Sequence, residues 1–338
     1  MVGSIPLLID CDTGIDDALA LLYACASPEA EIVAVTCWGG NVEARQVAEN
    51  TLAVLELAGR DDIEVALGRE APIARPLMIT PETHGPRGIG DAVLPPARRP
   101  LSDRDGVDLI VQEARRRPGE LTLVTLGPAT NLAAAVLREP QLPRLLARVV
   151  MMVGTFQAGG NTTPRGEWNA MVDPEALALV LQAWSPDGPT RWPDPPTRPL
   201  LLGLDVTERA RILPYHVAAL AARAGGDQLP MVRFITDALA FYMRFHEQYD
   251  GFHGAFIHDP LALAVALDPA LARARAVTVD VELGGRLTTG ETVADWRGHW
   301  GRPPNADVAV EADAAAFLDR LIERVGALAA AGRIPSAS

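Results

Sequence analysis

The chain has 338 residues, of which 49% are hydrophobic and 22% are charged, so it can bury a large core in one or two domains. Its net charge of −13 disfavours a nucleic-acid polymer or an anionic membrane surface as a partner. No apolar run approaches the roughly 20 residues of a membrane span, and the start lacks the basic residues of a signal peptide.

Two features of composition restrict the chemistry and the compartment. All 30 basic residues are arginine, which excludes a Schiff-base lysine and the lysine of a phosphate-binding P-loop. The three cysteines, Cys11, Cys25 and Cys37, lack the spacing of a metal site. They predict buried free thiols in a reducing cytoplasm.

Four acids surround the first strand-to-helix junction of the chain. An apolar run at residues 7–9 predicts a buried strand that opens through Gly14 into a helix. Asp16 and Asp17 could simply favour the helix N-terminus, but this does not explain Asp10 and Asp12 on the strand. Crowded carboxylates repel one another, and a divalent cation removes that conflict. We therefore predict a metal site, and oxygen-only ligands favour Ca²⁺ or Mg²⁺.

The remaining elements alternate between strands and helices along the chain. Strands are predicted at residues 31–36, 64–67, 121–126, 149–153, 200–205 and 307–310, and helices at 16–26, 42–58, 230–249, 261–267 and 314–331. This order predicts an α/β fold, a mostly parallel, Rossmann-like open sheet with helices on both faces. Residues 277–283 and 287–293 alternate around Gly284-Gly285 and predict a C-terminal edge hairpin. Because no linker stands out, residues 1–338 are predicted to form a single domain.

The polar residues of interest follow strands or begin helices. They are Asp10, Asp12, Asp16, Asp17, Asn41, Asn161, Glu167, Asn169, His258 and Asp259. These points converge on one rim of a parallel sheet, so distant residues can share one pocket. Such an oxygen-rich and amide-rich pocket suits a polyhydroxylated ligand, such as a sugar, beside a hard metal. There a carboxylate can deprotonate water and a histidine can protonate a leaving group.

At this point a family resemblance becomes visible. The segment Asp10-Cys11-Asp12-Thr13-Gly14-Ile15-Asp16-Asp17 resembles the N-terminal DxDxGxDD signature of the nucleoside hydrolases, including the inosine–uridine-preferring type. The likeness continues in order at residues 126–131, 151–154, 161, 167–169, 173–175 and 258–260. The resemblance implies a Ca²⁺-dependent enzyme that hydrolyses the N-glycosidic bond of ribonucleosides to ribose and free base. It also implies a homodimer or homotetramer with a small ribonucleoside as its partner.

The resemblance also implies roles for individual residues. Asp12 is the implied general base, which also contacts the metal, and His258 is the implied acid for the leaving base. The implied metal ligands are Asp10, Asp12, Asp17, the carbonyl of Leu126, and Asp259. The implied substrate contacts are Asp16, Asn41, His84, Met152, Asn161, Glu167, Trp168, Asn169, Tyr242 and His246. His246 lies where inosine–uridine enzymes often have tyrosine, and Trp168 replaces a commoner phenylalanine, so the sequence leaves the preferred base open between purine and pyrimidine.

Two other classes of function share part of this pattern. A haloacid-dehalogenase-like phosphatase also opens with acids two residues apart after an apolar strand. However, its threonine would lie one place later than Thr13, and nothing after Gly14 fits that family. A non-catalytic nucleoside-binding or sugar-binding protein on the same scaffold would need neither a base at Asp12 nor an acid at His258.

Overall fold

The computed structural model describes residues 3–190, 192 and 194–332, and the predicted domain span 1–338 extends beyond them at both ends. The strands, in chain order, are β1 Ile5–Cys11, β2 Ala30–Cys37, β3 Glu64–Leu67, β4 Thr122–Thr125, β5 Arg148–Met152, β6 Leu200–Leu202, β7 Arg211–Ile212, β8 Ala255–Phe256, β9 Ala272–Val277, β10 Val279–Val281, β11 Thr292–Ala294 and β12 Ala306–Ala312.

The α-helices are α1 Ile15–Cys25, α2 Ala44–Leu57, α3 Pro81–His84, α4 Gly106–Arg116, α5 Thr130–Arg138, α6 Leu142–Leu145, α7 Trp168–Val172, α8 Pro174–Ala183, α9 Leu204–Thr207, α10 Pro214–Ala224, α11 Pro230–Tyr249, α12 His258–Leu267 and α13 Ala314–Ala331. A 3₁₀-helix spans Pro269–Leu271. Among these described helices, none combines the length and the apolar character needed to cross a membrane.

The central sheet contains eight strands in the order β3-β2-β1-β4-β5-β6-β12-β9. All neighbours pair in parallel except β12 and β9, which are antiparallel. The predicted α/β class with a mostly parallel open sheet is therefore confirmed. Strand order reverses direction between β1 and β4, and in open α/β sheets ligands bind outside the carboxyl ends of the strands at such a point.

Strand β1 separates two apolar layers. Leu7 and Ile9 belong to a buried cluster with α1, α11, α12 and α13, whereas Leu8 faces a second cluster with α4, α5 and α8. This division follows from the alternation of side chains along a strand. Helices cover both faces of the sheet, as the near-continuous hydrophobic runs of its strands require.

The hairpin and one strand differ from the sequence-based expectation. Strands β10 and β11 pair antiparallel, with Val281 opposite Thr292, but they form a separate two-stranded sheet, and the edge strands of the main sheet are β3 and β9. The glycines at 284–285 lie in a longer loop between Val281 and Thr292, where the Glu282 carboxylate accepts both of their N–H groups. The strand predicted at 200–205 ends at Leu202, and α9 begins at Leu204.

Candidate active site

The carboxyl ends of β1, β2, β4 and β5 open into a cavity of about 560 Å³. Its lining includes Asp12, Asp16, Asn41, His84, Leu126, Met152, Asn161, Glu167, Trp168, Asn169, Tyr242, His246, His258 and Asp259. Asp10 and Asp17 are buried beside it. The structure thus gathers side chains from distant segments that the sequence placed after strands or at helix starts.

The floor of the cavity carries a cluster of buried acids. Asp16, Asp17 and Asp259 each offer a carboxylate oxygen, and these oxygens lie within 4.8 Å of one another. Burial, followed by repulsion from Asp17, raises the pKa of Asp12 and brings that of Asp16 to about 7. Burial is also the main cause of the raised pKa of Asp259, followed by the charge of Asp16. An all-oxygen cluster that lacks positive charge fits a hard cation.

Backbone groups act on two of these acids, Asp17 and Asp16. Asp17 accepts hydrogen bonds from the N–H of Gly14 at 2.8 Å and that of Asp12 at 3.3 Å. The backbone of His258 and Asp259 at the start of α12 lowers the pKa of Asp16 and so opposes the effect of burial. The sequence assigned Asp16 to the substrate, and the structure places it among the possible metal ligands as well.

Asp10 lies behind this cluster. Its Oδ1 accepts from the Thr36 hydroxyl at 2.6 Å and from the Asn131 amide at 2.8 Å. Its Oδ2 is buried and has no partner among the described residues. Burial raises its pKa to about 6. An orphaned carboxylate oxygen beside three further acids is consistent with a cation-binding centre.

Asp12 is held between the ends of two neighbouring strands. Its Oδ2 accepts from the Asn41 N–H at 2.9 Å. A Cβ at Gly40 would lie 2.1 Å from Oδ2, and one at Gly127 would lie 2.6 Å from Oδ1. Both positions must therefore be glycine for the backbone to approach this carboxylate so closely. The orientation of the Asp12 carboxylate is accordingly fixed before a ligand binds.

Carboxylate and amide groups line the side of the cavity after β5. Glu167 caps α7 by accepting from the N–H groups of Asn169 and Ala170, and it also accepts from Gly154 N–H at 2.7 Å. The Asn169 amide donates to the Leu126 carbonyl at 2.8 Å and to the Met152 carbonyl at 3.0 Å. Asn161 accepts from the Trp168 N–H at 2.9 Å.

Two histidines on the opposite side have their Nδ1 atoms engaged. His84 Nδ1 accepts the Ile15 backbone N–H at 3.1 Å, which leaves Nε2 to carry the ring hydrogen. His258 Nδ1 lies 2.8 Å from the Thr207 hydroxyl, which also lies 3.2 Å from the Gly203 carbonyl. Burial, followed by neighbouring histidines, lowers the pKa of both His84 and His258 to about 3. Both rings are therefore neutral at neutral pH.

The outer end of the cavity is aromatic and acidic. The Tyr242 ring centroid lies 5.3 Å from His84 and 4.6 Å from His246. His246 Nδ1 is 2.7 Å from an Asp250 carboxylate oxygen, and its Nε2 is buried without a partner in the described chain. Burial lowers the pKa of His246, although Asp250 opposes this shift.

Sequence reasoning missed several residues that line this end, namely Thr80, Glu82, Thr83, Glu208, Phe245, Tyr249, Asp250 and Phe256. The spacing of Asp250, four residues after His246 on α11, was a readable signal for their pairing. Glu208 and Phe256 had no such local signal, because only the packing of α9 and β8 brings them to the cavity.

The fold and the site define an α/β enzyme with a buried acidic centre at a topological switch point. The family model for inosine-uridine preferring nucleoside hydrolase matches residues 7–319. The pyrimidine-specific ribonucleoside hydrolase RihA of Enterobacter sp. (strain 638) is 38% identical over 324 residues, covering 95% of this chain and 98% of that protein.

Solved structures agree with this assignment. The purine-preferring ribonucleoside hydrolase from Gardnerella vaginalis superimposes with a TM-score of 0.88 at 29% identity, covering 97% of this chain and 100% of that one. The plant nucleoside hydrolase PpNRh1 gives a TM-score of 0.86 at 30% identity, with coverage of 96% and 99%. The chain belongs to the inosine-uridine preferring nucleoside hydrolase family and is a hydrolase that acts on N-glycosyl bonds.

Proposed function

We propose that this enzyme hydrolyses ribonucleosides to ribose and free base, with pyrimidine ribonucleosides preferred. The observation that carries the proposal is the fixed Asp12 carboxylate, which shares one cavity with the acid cluster and two neutral histidines. The preference for pyrimidines is supported by the printed specificity of the RihA relative at 38% identity. Because the Gardnerella vaginalis enzyme, at 29% identity, prefers purines, the preferred base is the first property to measure.

We propose Ca²⁺ as the metal. Asp12, Asp17, Asp259 and the Leu126 carbonyl would hold it, with Asp16 close by and Asp10 behind. A bound Ca²⁺ would neutralise these carboxylates, coordinate sugar hydroxyls and lower the pKa of a nearby water. The all-oxygen donors and the raised carboxylate pKa values support this choice.

Asp12 then acts as the general base. An ionised Asp12 takes a proton from the attacking water, and its fixed orientation avoids an entropic cost when the reaction begins. Breaking the C1′–N bond makes the ribose ring oxocarbenium-like, as in glycoside hydrolysis. Asn41, Asn161, Glu167 and Asn169, with Met152 beside them, would hold the ribose.

His258 would assist departure of the base. The Thr207 hydroxyl has a single hydrogen, which we assign to His258 Nδ1 at 2.8 Å and not to the Gly203 carbonyl at 3.2 Å, so that the neutral ring keeps its own hydrogen on Nε2, as His84 does. Such a ring can donate to the leaving base without being protonated first, and a neutral histidine can serve as an electrophile in this way. His84, Trp168, Tyr242 and His246 would surround the base.

The alternative functions have less support. A phosphate monoester would meet the carboxylates of Glu82, Glu208 and Asp250 at the outer end of the cavity, and these would repel it. A pure binding protein would not require a fixed carboxylate beside the sugar. The homodimeric or homotetrameric state and the cytoplasmic location stay predictions.

The purified protein should be assayed for release of ribose from uridine, cytidine, inosine and adenosine, with nitrophenyl phosphate as the phosphatase control. We expect hydrolysis of the nucleosides, fastest for the pyrimidines, and none of the phosphate ester. Faster turnover of inosine would refute the base preference. Turnover of the phosphate ester alone would refute the proposed reaction.

A further inference from the structure

The loop after β5 carries much of the cavity wall that would face the sugar. It spans residues 153–167 and is called here the β5–α7 loop. Gly160, Asn161 and Thr162 in its middle line the cavity, as does Glu167 at its end. A loop of this length with no regular structure needs external contacts to keep one conformation.

Asp205 supplies the first of these contacts. This residue lies in the first turn of α9, next to the end of β6. Its carboxylate accepts the backbone N–H groups of Phe156 at 2.8 Å, Gln157 at 2.7 Å and Ala158 at 2.9 Å. Three charge-assisted hydrogen bonds to consecutive residues fix the path of the chain just before Asn161.

The separate β10–β11 sheet supplies the second contact. The Thr292 hydroxyl accepts from the Thr155 N–H at 3.0 Å and donates to the Thr155 carbonyl at 2.7 Å. Thr292 is buried, so water cannot replace these bonds at low cost. Near the other end of the loop, Arg165 forms an ion pair with Glu291, the residue before Thr292.

We propose that Asp205 and Thr292 are positioning residues that hold the β5–α7 loop in its sugar-binding conformation. The β10–β11 sheet then serves as a support for the active site, although it lies outside the central sheet. This inference rests on the proposed function, because it assumes that Asn161 and Glu167 contact the ribose. Neither Asp205 nor Thr292 lines the cavity, so both act through the loop.

The test compares each variant with a control variant, and all of them are assayed with uridine and inosine. Thr292→Val keeps the shape of the side chain but removes both bonds, whereas Thr292→Ser keeps the hydroxyl. Asp205→Ala removes all three bonds, and Asp313→Ala, which removes the N-cap of α13, is the control for loss of a capping aspartate at another place. Thermal unfolding of each variant separates loop effects from global unfolding.

We expect Thr292→Val, which removes two hydrogen bonds, and Asp205→Ala, which removes three, each to raise KM by about 5- to 30-fold. The factor should be the same for uridine and inosine, because the loop faces the sugar and not the base. kcat should fall less than KM rises, and Thr292→Ser and Asp313→Ala should resemble the unsubstituted enzyme. The double variant should show less than the product of the two single effects, since both residues hold one loop.

An unchanged KM in both Thr292→Val and Asp205→Ala would overturn the inference. A rise in KM that Thr292→Ser shows as well would also overturn it, as would a rise in KM that differs between uridine and inosine. Asn161→Ala tells this failure apart from failure of the proposed function. If Asn161→Ala leaves KM unchanged, the loop does not bind sugar and the assumption about the reaction is wrong, whatever holds the loop.

Discussion

Replacement of Thr207 by valine tests the role of His258 without touching the ring itself. Thr207 is fully buried, and its hydroxyl is 2.8 Å from His258 Nδ1. Valine preserves the shape but leaves Nδ1 unpartnered, which costs about 1–3 kcal/mol for a buried polar group. This penalty should raise the energy of the transition state, in which His258 Nε2 donates to the leaving base. The kcat for uridine should therefore fall ~5- to 150-fold. Thr207→Ser, which keeps the hydroxyl, should retain most of the rate.

The assay compares uridine with a nitrophenyl riboside, whose leaving group needs little assistance. We expect Thr207→Val to slow uridine hydrolysis and to spare the nitrophenyl riboside, with KM changed little for either. His258→Ala should show the same pattern with a larger effect, on the order of 10²–10⁴ in kcat. Equal losses on both substrates would refute the reasoning, because they would mean that His258 and Thr207 merely support α12 and the adjacent acid.

Three further outcomes are expected. The Asp12→Asn variant, once shown to contain metal, should have no turnover. A near-normal kcat would mean that another group is the general base. Stringent chelation should remove activity, and added Ca²⁺ should restore it. At a hundredfold excess over its Kd, Ca²⁺ should also raise the free energy of unfolding by about 2.7 kcal/mol. Zinc found in the purified protein by elemental analysis would contradict this prediction. The pKa of His84 falls from 6.5 to about 3 on folding, so the protein loses stability as pH drops below 6.5. Urea unfolding at pH 4.5 should show a loss of about 3 kcal/mol from this group, which His84→Gln should abolish.

The sequence predicted the parallel sheet and most of the cavity because these depend on local patterns. Apolar runs that end in acids or amides identify strand ends, and in a parallel sheet such ends share one edge. This reasoning brought Asp12, Asn41 and Asn169 to one cavity, as the structure does. Helix α11 was predicted with its observed bounds, since Pro230 begins it and its apolar residues recur with helical spacing.

Other features were beyond sequence reasoning because they depend on packing between distant segments. The sequence alone does not reveal that Asp205 accepts three N–H groups from residues 156–158, because no local pattern connects α9 with that loop. The β10–β11 pairing was expected from alternation, but alternation does not specify which sheet a hairpin joins. The glycines at 284–285 suggested a tight turn, whereas in the structure they belong to a longer loop in which Glu282 accepts their N–H groups.

The contact between α1 and α12 has a consequence for how the chain is made. Asp16 and Asp17 come from the first helix to leave the ribosome, whereas Asp259 belongs to α12, which is synthesised much later. The acid cluster cannot be completed until α12 has been synthesised, after six of the eight strands of the central sheet, so a shorter chain offers a cation only part of the cluster. Binding of a cation at Asp16, Asp17 and Asp259 would thus require the packing of α1 against α12 and would stabilise that long-range contact.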